Sequence, residues 1–224
     1  MVDVGAISSG LVLEGSRVWR PRGAAASSAI SFPERGHEAC YAIEDRSFWF
    51  AHRNECIAAA LRRHPFEGPF LDVGGGNGAV SQRLVAEGID AVLLEPGEQG
   101  AENALRRGLP HVVRATLAEA EFHAGAFGGA GLFDVVEHVE DDVAILAAVR
   151  RVLRPGGVLA VTVPAYDWLW SAEDDFAGHH RRYTRRTARA ALERAGFDVH
   201  YLTYFFAPLT VPVLVARSLR YRLG

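Results

Sequence analysis

The chain lacks lysine altogether, so its 24 basic residues are all arginine. Because a guanidinium holds a carboxylate or phosphate in a bidentate fork, clustered arginines can form an anion site. Arginine replaces lysine over the whole chain, and alanine and glycine are also abundant. A GC-rich coding sequence is therefore favoured as the cause. Between Gly178 and Gly224, however, nine arginines are accompanied by only two acids, Glu193 and Asp198. This local cluster keeps an anion site open.

Cysteines and long apolar runs are also scarce. Two cysteines, Cys40 and Cys56, are too few for a disulfide framework in 224 residues and have no zinc-ligand spacing. The first residues lack the basic start and apolar core of a signal peptide, so we expect a cytoplasmic protein. The longest apolar stretch, residues 201–216, contains two prolines and falls short of a membrane span. We therefore expect no integral membrane segment, and contact of this stretch with a membrane surface or a hydrophobic substrate stays open.

Strand-like and helix-like segments alternate along most of the chain. The predicted strands are 70–73, 91–94, 112–114, 129–133, 158–163 and 199–205. One helix is predicted to begin near residue 38, and the others cover residues 48–63, 79–87, 100–107, 141–153 and 185–195. This alternation predicts an α/β fold with a doubly wound, mostly parallel, seven-stranded sheet. Residues 1–36 have no sustained period and predict a flexible N-terminal arm, and we expect residues 37–224 to form a single domain.

The most informative segment is residues 70–84. An apolar run ends there at Asp72, and a glycine follows at every second position: Gly74, Gly76 and Gly78. The pattern indicates a strand that turns sharply into a helix, where bare backbone allows a ligand to approach closely. The spacing resembles the first motif of the class I S-adenosylmethionine (SAM) methyltransferases. Gly74, Gly76 and Ala79 also satisfy the dinucleotide-binding pattern, and the cluster could equally be a plain tight turn.

Polar residues also follow the other predicted strands. Glu95 lies seventeen residues after Gly78, at the distance where an acid accepts hydrogen bonds from ribose hydroxyls. Asp134, Glu137 and His138 follow the fourth strand. Because the carboxyl ends of parallel strands meet at one edge of a sheet, these groups are expected at the ligand site. Each acid taken alone could instead be a helix N-terminal charge.

With these residues placed, the chain from Phe48 to Leu209 resembles the class I SAM-dependent methyltransferases. It looks most like the bacterial branch that includes the ubiquinone O-methyltransferases and methyltransferases of glycan and natural-product pathways. The segments that match, in chain order, are residues 72–78, 92–96, 133–138, 153–157 and 178–184 with 195–197. The resemblance implies SAM as the cofactor, a helical lid at the N-terminal side of the domain and an acceptor-binding portion at its C-terminal side.

The resemblance also implies a set of cofactor-binding residues: Asp72, Gly74, Gly75, Gly76, Glu95, Pro96, Thr116, Leu117, Phe133 and Arg53. The chain departs from the family in one place. Family members often place an acid after the third strand to meet the adenine amino group, whereas this chain has Thr116 and Leu117 there. Glu119 or a backbone carbonyl is left as the partner of that amino group.

Catalytic and metal roles are expected after the fourth and fifth strands. His138 is the candidate general base, and His179 is a second catalytic candidate. Related methyltransferases with Glu-x-x-Glu-His and a distant histidine bind a divalent metal. The resemblance therefore implies a site for Mg²⁺ or another divalent cation at Asp134, Glu137 and His138. The alternative is that Glu137 and His138 cap the next helix and orient its loop.

The candidates for binding the acceptor are Trp49, Tyr166, Arg181, Arg182 and Tyr183. The arginines would grip a carboxylate or phosphate of the acceptor. Trp49 would lie on the lid, and Tyr166 would form an aromatic surface with Trp168 and Trp170. A solvated helix start and ordinary core packing explain the same residues.

Together these residues predict SAM-dependent methyl transfer to a small-molecule acceptor. Oxygen is favoured as the acceptor atom over nitrogen and carbon. Two alternatives are an NAD(P)-dependent oxidoreductase and a non-catalytic partner protein with the SAM-binding fold. The net charge of −3 gives no sign of a nucleic-acid partner, and a homodimer is left open.

Overall fold

The computed structural model describes residues 1–15, 17–23, 34–219 and 221. These residues fall into two compact units. The first contains the described residues up to 133 together with 151–161, and the second contains 134–150 and the described residues from 162 onward. Nearly all of the sheet belongs to the first unit.

The sheet has seven strands in the order β1-β2-β5-β4-β3-β6-β7. They are β1 (Leu11–Glu14), β2 (Val18–Pro21), β3 (Phe70–Val73), β4 (Ala91–Leu94), β5 (Val112–Val113), β6 (Phe127–Phe133) and β7 (Leu153–Thr162). β1 and β2 are antiparallel, whereas β2 with β5, β5 with β4, β4 with β3 and β3 with β6 are parallel. The strand order reverses at β3, so the carboxyl end of β3 is the switch point where ligands of such folds bind. The doubly wound, mostly parallel sheet predicted from the sequence is confirmed.

Helices flank the strands in chain order. They are α1 (Glu34–Glu44), α2 (Phe48–Arg63), α3 (Ala79–Ala86), α4 (Glu98–Arg106), α5 (Asp142–Val152), α6 (Ala172–Ala177), α7 (Arg185–Arg194) and α8 (Thr210–Val213). A π-helical turn, Leu214–Leu219, follows α8. Within the residues described above, no helix has the length and apolarity needed to cross a membrane.

An apolar cluster fixes α2 and α3 against β3. Ile57 and Leu61 lie four residues apart, on one face of α2, and pack with Leu84 of α3. Phe70 of β3 and Phe133 of β6 complete the contact, with their rings stacked at 6.4 Å. Burying a side chain of this size contributes about 1.5–3 kcal/mol. This packing therefore sets the position of the loop that follows β3 and of the first turns of α2.

The N-terminal residues differ from the sequence prediction. Residues 1–36 were expected to form a flexible arm, but their described part contains the β1–β2 hairpin, and Trp19 of β2 pairs with Val113 of β5. The hairpin forms because two short apolar runs flank a turn at Gly15, whose φ is 58°. The arm prediction is wrong for these residues. That residues 37–224 form a single domain stays a prediction.

The last predicted strand is also absent. Residues 199–205 are described and have no regular secondary structure. Side-chain contacts order this segment instead, because the hydroxyl of Tyr204 accepts a hydrogen bond of 3.0 Å from the backbone N–H of Arg185. The sheet reaches seven strands through the N-terminal hairpin.

Candidate active site

The loop after β3 needs glycine at three positions, either because the backbone is left-handed or because a side chain would clash. The backbone N–H groups of Gly74 and Gly75 donate to the carbonyl of Leu94 at 2.7 and 3.2 Å. Gly74 and Gly76 have φ values of 67° and 53°, which side chains disfavour. A Cβ at Gly75 would lie 2.8 Å from Leu93 and 2.9 Å from the Asp72 carboxylate. The loop thus leads tightly from β3 into the N-terminus of α3, where free amide groups favour an anion or a polar ligand.

Asp72 is a buried acid at the end of β3. Its Oδ2 accepts a hydrogen bond of 2.7 Å from Ser81, and its Oδ1 accepts none from the residues that the structure describes. Burial raises the pKa of Asp72 to about 6, although the Ser81 hydroxyl and the charge of Arg53 lower it. The unused oxygen is suited to a donor from a ligand.

Glu95, after β4, is the second buried acid. Its Oε2 accepts from the N–H of Gly76 at 2.9 Å, and its Oε1 accepts from the N–H of Gly97 at 2.6 Å. Burial raises the pKa of Glu95 to about 7, the two backbone bonds lower it, and Asp72 raises it further. A carboxylate has about four acceptor positions, so this arrangement leaves room for two hydroxyl donors.

Arg53 and Phe133 are close together in the same unit. Arg53 is buried, and its Nη2 donates to the Phe133 carbonyl at 3.1 Å. The Arg53 charge also acts on Asp72. These two predicted cofactor residues thus lie with the acid at the end of β3.

Three further predicted cofactor residues follow strands β4 and β5. Pro96 is half-buried directly after Glu95, and Leu117 is buried. The N–H and the hydroxyl of Thr116 both donate to the Glu119 carboxylate at 2.8 Å. Because Glu119 already accepts these bonds, it holds the loop in which Thr116 and Leu117 lie.

A buried polar network beside the glycine loop was missed by the sequence analysis. Asn77 donates through Nδ2 to the carbonyl of His37 at 2.9 Å and to the carboxylate of Glu44 at 3.2 Å. Asn103 donates to Asn77 at 2.9 Å, and Arg107 forms a buried ion pair with Glu44 at 2.8 Å. The network ties α1 and α4 to the loop. Because His37 contributes its backbone carbonyl, which any residue could supply, the sequence contained no clear signal for this network.

The second unit contains a carboxylate–imidazole cluster. Glu137, His138 and His179 each offer a ligand atom within 4.8 Å of the others. The two histidine rings meet edge to face with centroids 4.7 Å apart, and Glu137 is fully buried. Burial, followed by the charge of His179, lowers the pKa of His138 to about 4. His138 is therefore neutral at physiological pH.

Asp134, the first of the three predicted metal ligands, is not in this cluster. It is exposed and has a φ of 58°, a left-handed conformation that aspartate tolerates better than most residues. Its Oδ1 accepts a hydrogen bond of 3.0 Å from the Thr162 hydroxyl. The structure thus brings His179 to Glu137 and His138 in place of Asp134.

The predicted acceptor-binding arginines have carboxylate partners within the second unit. Arg181 pairs with Asp142 at 3.2 Å and donates to the carbonyl of Glu140. Tyr183 is buried, and its hydroxyl donates to the same Asp142 at 3.0 Å. Burial, together with this bond, raises the pKa of Tyr183 far above its ordinary value. This arrangement favours a structural role for Tyr183.

Arg182 is held by Asp174, a residue that the sequence analysis did not identify. Two nitrogens of Arg182 donate to the Asp174 carboxylate, each at 2.8 Å. The same carboxylate lies 2.8 Å from Nδ1 of His179. A capping-box spacing, Ser171-x-x-Asp174, was the signal available in the sequence.

Tyr166 is the centre of an aromatic stack in the second unit. Its ring lies 5.2 Å from that of Trp168 and 4.9 Å from that of Tyr204. Tyr166 has a φ of 63°, which is strained for a residue with a bulky side chain. Trp49, the remaining acceptor-binding candidate, lies in the first unit with 38% of its surface exposed.

Comparison with known proteins adds an independent line of evidence. A family model described as "Methyltransferase domain" matches residues 44–202. Over 110 residues the chain is 36% identical to a ubiquinone biosynthesis O-methyltransferase of Parvibaculum lavamentivorans, covering 46% of this chain and 43% of that protein. A protein of the same name from Cereibacter sphaeroides is 36% identical over 101 residues, covering 42% of this chain and 41% of its own length. The chain spans about two fifths of the length of these curated relatives.

Solved structures share the fold at low identity. Phosphoethanolamine N-methyltransferase 2 of Haemonchus contortus, in complex with S-adenosyl-L-methionine, has a TM-score of 0.65 at 18% identity, covering 91% of this chain and 51% of that chain. A SAM-dependent methyltransferase of Thermotoga maritima, described as a possible histamine N-methyltransferase, has a TM-score of 0.60 at 23% identity, covering 74% and 79%. These similarities confirm the predicted Rossmann-like fold.

Proposed function

Because this chain belongs to the methyltransferase domain family, we propose that it transfers the methyl group of SAM to a hydroxyl oxygen of a small-molecule acceptor. The observation that supports oxygen is the cluster of Glu137, His138 and His179. A hydroxyl must lose its proton during methylation, whereas a neutral amine can attack through its lone pair, so a basic cluster is more useful to the former. The names of the curated relatives, ubiquinone biosynthesis O-methyltransferases, agree with this choice.

The first unit would bind SAM. The unused Oδ1 of Asp72 would accept from the ammonium group of SAM, and the carboxylate of Glu95 would accept from the ribose hydroxyls. The glycine loop would let the cofactor lie against backbone amides. Thr116 and Leu117 would contact the adenine, and Arg53 would lie beside the methionine portion. The family match gives no support to the NAD(P)-dependent alternative.

Methyl transfer is an in-line displacement that depends mainly on alignment of the oxygen, the methyl carbon and the sulfur. As the C–O bond forms, the C–S bond breaks, its electron pair returns to sulfur, and S-adenosylhomocysteine leaves. The hydroxyl proton passes to a base. A base with a pKa near 4, such as His138, is poorly matched to neutral pH, so His179 is the better candidate to take that proton. Tyr166 would contact the acceptor through its aromatic stack.

As an alternative to His179 acting as the base, we propose that Glu137, His138 and His179 hold a divalent cation. One carboxylate and two imidazoles within 4.8 Å of one another form a suitable donor set, and nitrogen ligands favour Zn²⁺ or Mn²⁺ over Mg²⁺. When bound, such a cation supplies Lewis acidity that lowers the pKa of an acceptor hydroxyl. Glu137 is already held in place by its backbone, because its carbonyl accepts from the N–H of His180 at 2.8 Å.

Calorimetric titration of the full chain with SAM and S-adenosylhomocysteine tests the cofactor assignment. We expect micromolar binding that Glu95→Gln weakens at least tenfold, since the neutral amide loses one acceptor for the ribose hydroxyls. Glu102→Gln, which changes an exposed carboxylate of α4, is the matched control and should bind as the wild type does. Absence of binding to the wild type would refute the proposal.

Turnover tests the acceptor assignment. Methyl transfer from labelled SAM should be measured on matched pairs of small aromatic phenols and anilines, with the metal-chelated protein and after adding Zn²⁺ or Mn²⁺. We expect the phenols to be methylated and the anilines to be poor acceptors. Transfer to the anilines alone would refute oxygen as the acceptor atom. Zn²⁺ titration of the wild type and of Glu137→Gln tests the cation site without turnover, and equal affinity would refute it.

A further inference from the structure

Asp174 is a buried acid for which the chemistry above has no role. It lies at the third position of α6, with 1% of its surface exposed. The N–H and the hydroxyl of Ser171 donate to its Oδ2 at 2.9 and 3.1 Å. Arg182 donates to both carboxylate oxygens, and this guanidinium also donates to the carbonyl of Ala165 at 3.1 Å. These bonds hold the Asp174 carboxylate in place independently of its contact with His179.

The contact with His179 determines where the histidine proton lies. Both oxygens of the Asp174 carboxylate face donors, because Ser171 donates to one of them and the Arg182 guanidinium forms a bidentate ion pair with both. An ionised carboxylate only accepts hydrogen bonds. Nδ1 of His179, 2.8 Å from Oδ1 of Asp174, must therefore be the nitrogen that donates. In a neutral ring the lone pair is then on Nε2.

The backbone around His179 restricts the ring as well. Its N–H donates to the Asp174 carbonyl at 3.0 Å, and the next N–H, of His180, donates to the Glu137 carbonyl at 2.8 Å. Gly178 before it ends α6 in a left-handed conformation, with φ of 72°. The same short segment is thus anchored at Asp174 on one side and at Glu137 on the other.

We propose that Asp174 is a positioning residue that keeps the His179 proton on Nδ1, so that the Nε2 lone pair is available to the cluster with Glu137 and His138. The inference rests on the proposed function, because it assumes that His179 works as a base or a ligand there. The same arrangement, a carboxylate behind a histidine, fixes the ring and its tautomer in catalytic triads and in metal sites.

A purely structural role for Asp174 makes a different prediction. An asparagine at this position can still accept from Ser171 and from Arg182 through its carbonyl oxygen. Its amide nitrogen would replace Oδ1, losing the bond from Nε of Arg182, and would donate to Nδ1 of His179, which would drive the proton to Nε2. The packing around residue 174 would be largely kept, whereas the lone pair of His179 would move from Nε2 to Nδ1.

Nitrogen-15 NMR of the full chain, labelled at histidine and free of SAM, tests the inference. The two ring nitrogens of His179 are assigned by comparison with His179→Gln. In the neutral form of the ring we expect a protonated Nδ1 and an Nε2 lone pair in the wild type. In Asp174→Asn the pattern should reverse, whereas Asp175→Asn, which changes the adjacent exposed acid, should leave it unchanged. A wild-type ring protonated on Nε2 alone would overturn the inference, whether or not Asp174→Asn folds.

Turnover gives a second readout once an acceptor is found. Asp174→Asn should lower kcat by about 10²- to 10⁴-fold, the contribution typical of general-base catalysis, with the affinity for SAM unchanged. An unchanged kcat would refute the positioning role. Failure of the wild type to bind SAM would instead refute the proposed function. The NMR measurement, made without SAM, would still test the tautomer of His179 in that case.

Discussion

Replacing Glu95 by glutamine should change how the stability of the protein depends on pH. Glu95 has 4% of its surface exposed, and burial raises its pKa from 4.5 to about 7. Since one pKa unit corresponds to about 1.4 kcal/mol, ionising this buried carboxylate costs about 3 kcal/mol of folding free energy. Glu95→Gln has no charge to ionise and is free of that cost.

The sign follows from the proton count. Between pH 4.5 and about 7 the unfolded chain has released the Glu95 proton, while the folded chain still holds it. The free energy of unfolding therefore falls as pH rises through this window, and the full cost is present above pH 7. At pH 5 the folded wild type and folded Glu95→Gln both have a largely neutral group, so ionisation contributes little to their difference in stability there and contributes more toward pH 8.

A second effect of Glu95→Gln does not depend on this ionisation. The amide NH₂ would face the N–H of either Gly76 or Gly97, and one lost acceptor costs about 1–3 kcal/mol. This loss is comparable to the gain, so stability at a single pH cannot separate the two. The change in the difference between pH 5 and pH 8 does separate them, because a constant offset cancels.

Urea denaturation at pH 5, 6, 7 and 8 measures that change. We expect the free energy of unfolding of Glu95→Gln, relative to the wild type, to rise by about 2–3 kcal/mol across the range. Glu102→Gln should vary by less than about 0.5 kcal/mol, as exposed substitutions do. A difference for Glu95→Gln that is flat across the range would refute a buried, raised-pKa carboxylate.

Three further substitutions test the packing around the site, each by urea denaturation at constant pH. Ser81→Ala removes the donor to buried Asp72 and should lower the free energy of unfolding by about 1–3 kcal/mol; no loss would contradict the 2.7 Å bond. Arg107→Leu leaves Glu44 buried without its ion-pair partner and should cost about 3–5 kcal/mol, whereas the exposed Arg106→Leu should change little. Leu84→Ala empties part of the core and should cost about 2–5 kcal/mol; a loss below 1 kcal/mol would mean that the cluster is loosely packed.

The sequence predicted the central strands because they are continuous apolar runs. β3 and β4 occupy the predicted residues, 70–73 and 91–94, since strands buried on both faces of a parallel sheet need no polar alternation. The β1–β2 hairpin was missed because each of its strands has four residues and only its first is buried. Strands this short and this exposed show no clear alternation of apolar and polar residues. The pairing of Trp19 with Val113 also joins residues far apart in sequence.

The candidate site was predictable where its contacts are local. Asp72 lies near the end of buried strand β3 and Glu95 directly follows buried strand β4, and the topology brings both to the glycine loop. The spacing in the sequence could not reveal that Asp134 has a left-handed backbone and accepts a hydrogen bond from the Thr162 hydroxyl. Asp174 was missed because its role depends on a loop that returns to α6 at His179 and Arg182.

Buried acids explain why the most predictable part of the site is also energetically unfavourable. Asp72 and Glu95 have raised pKa values, and the charge of Asp72 contributes to the shift of Glu95. A chain optimised for stability alone would gain by replacing either acid with a neutral residue of similar shape. The proposed ligand, SAM, would account for their burial, because its ammonium and hydroxyl groups would complete the hydrogen bonding of both carboxylates. The free energy lost in folding is then recovered on binding, because only the ionised acids offer every acceptor position to the ligand.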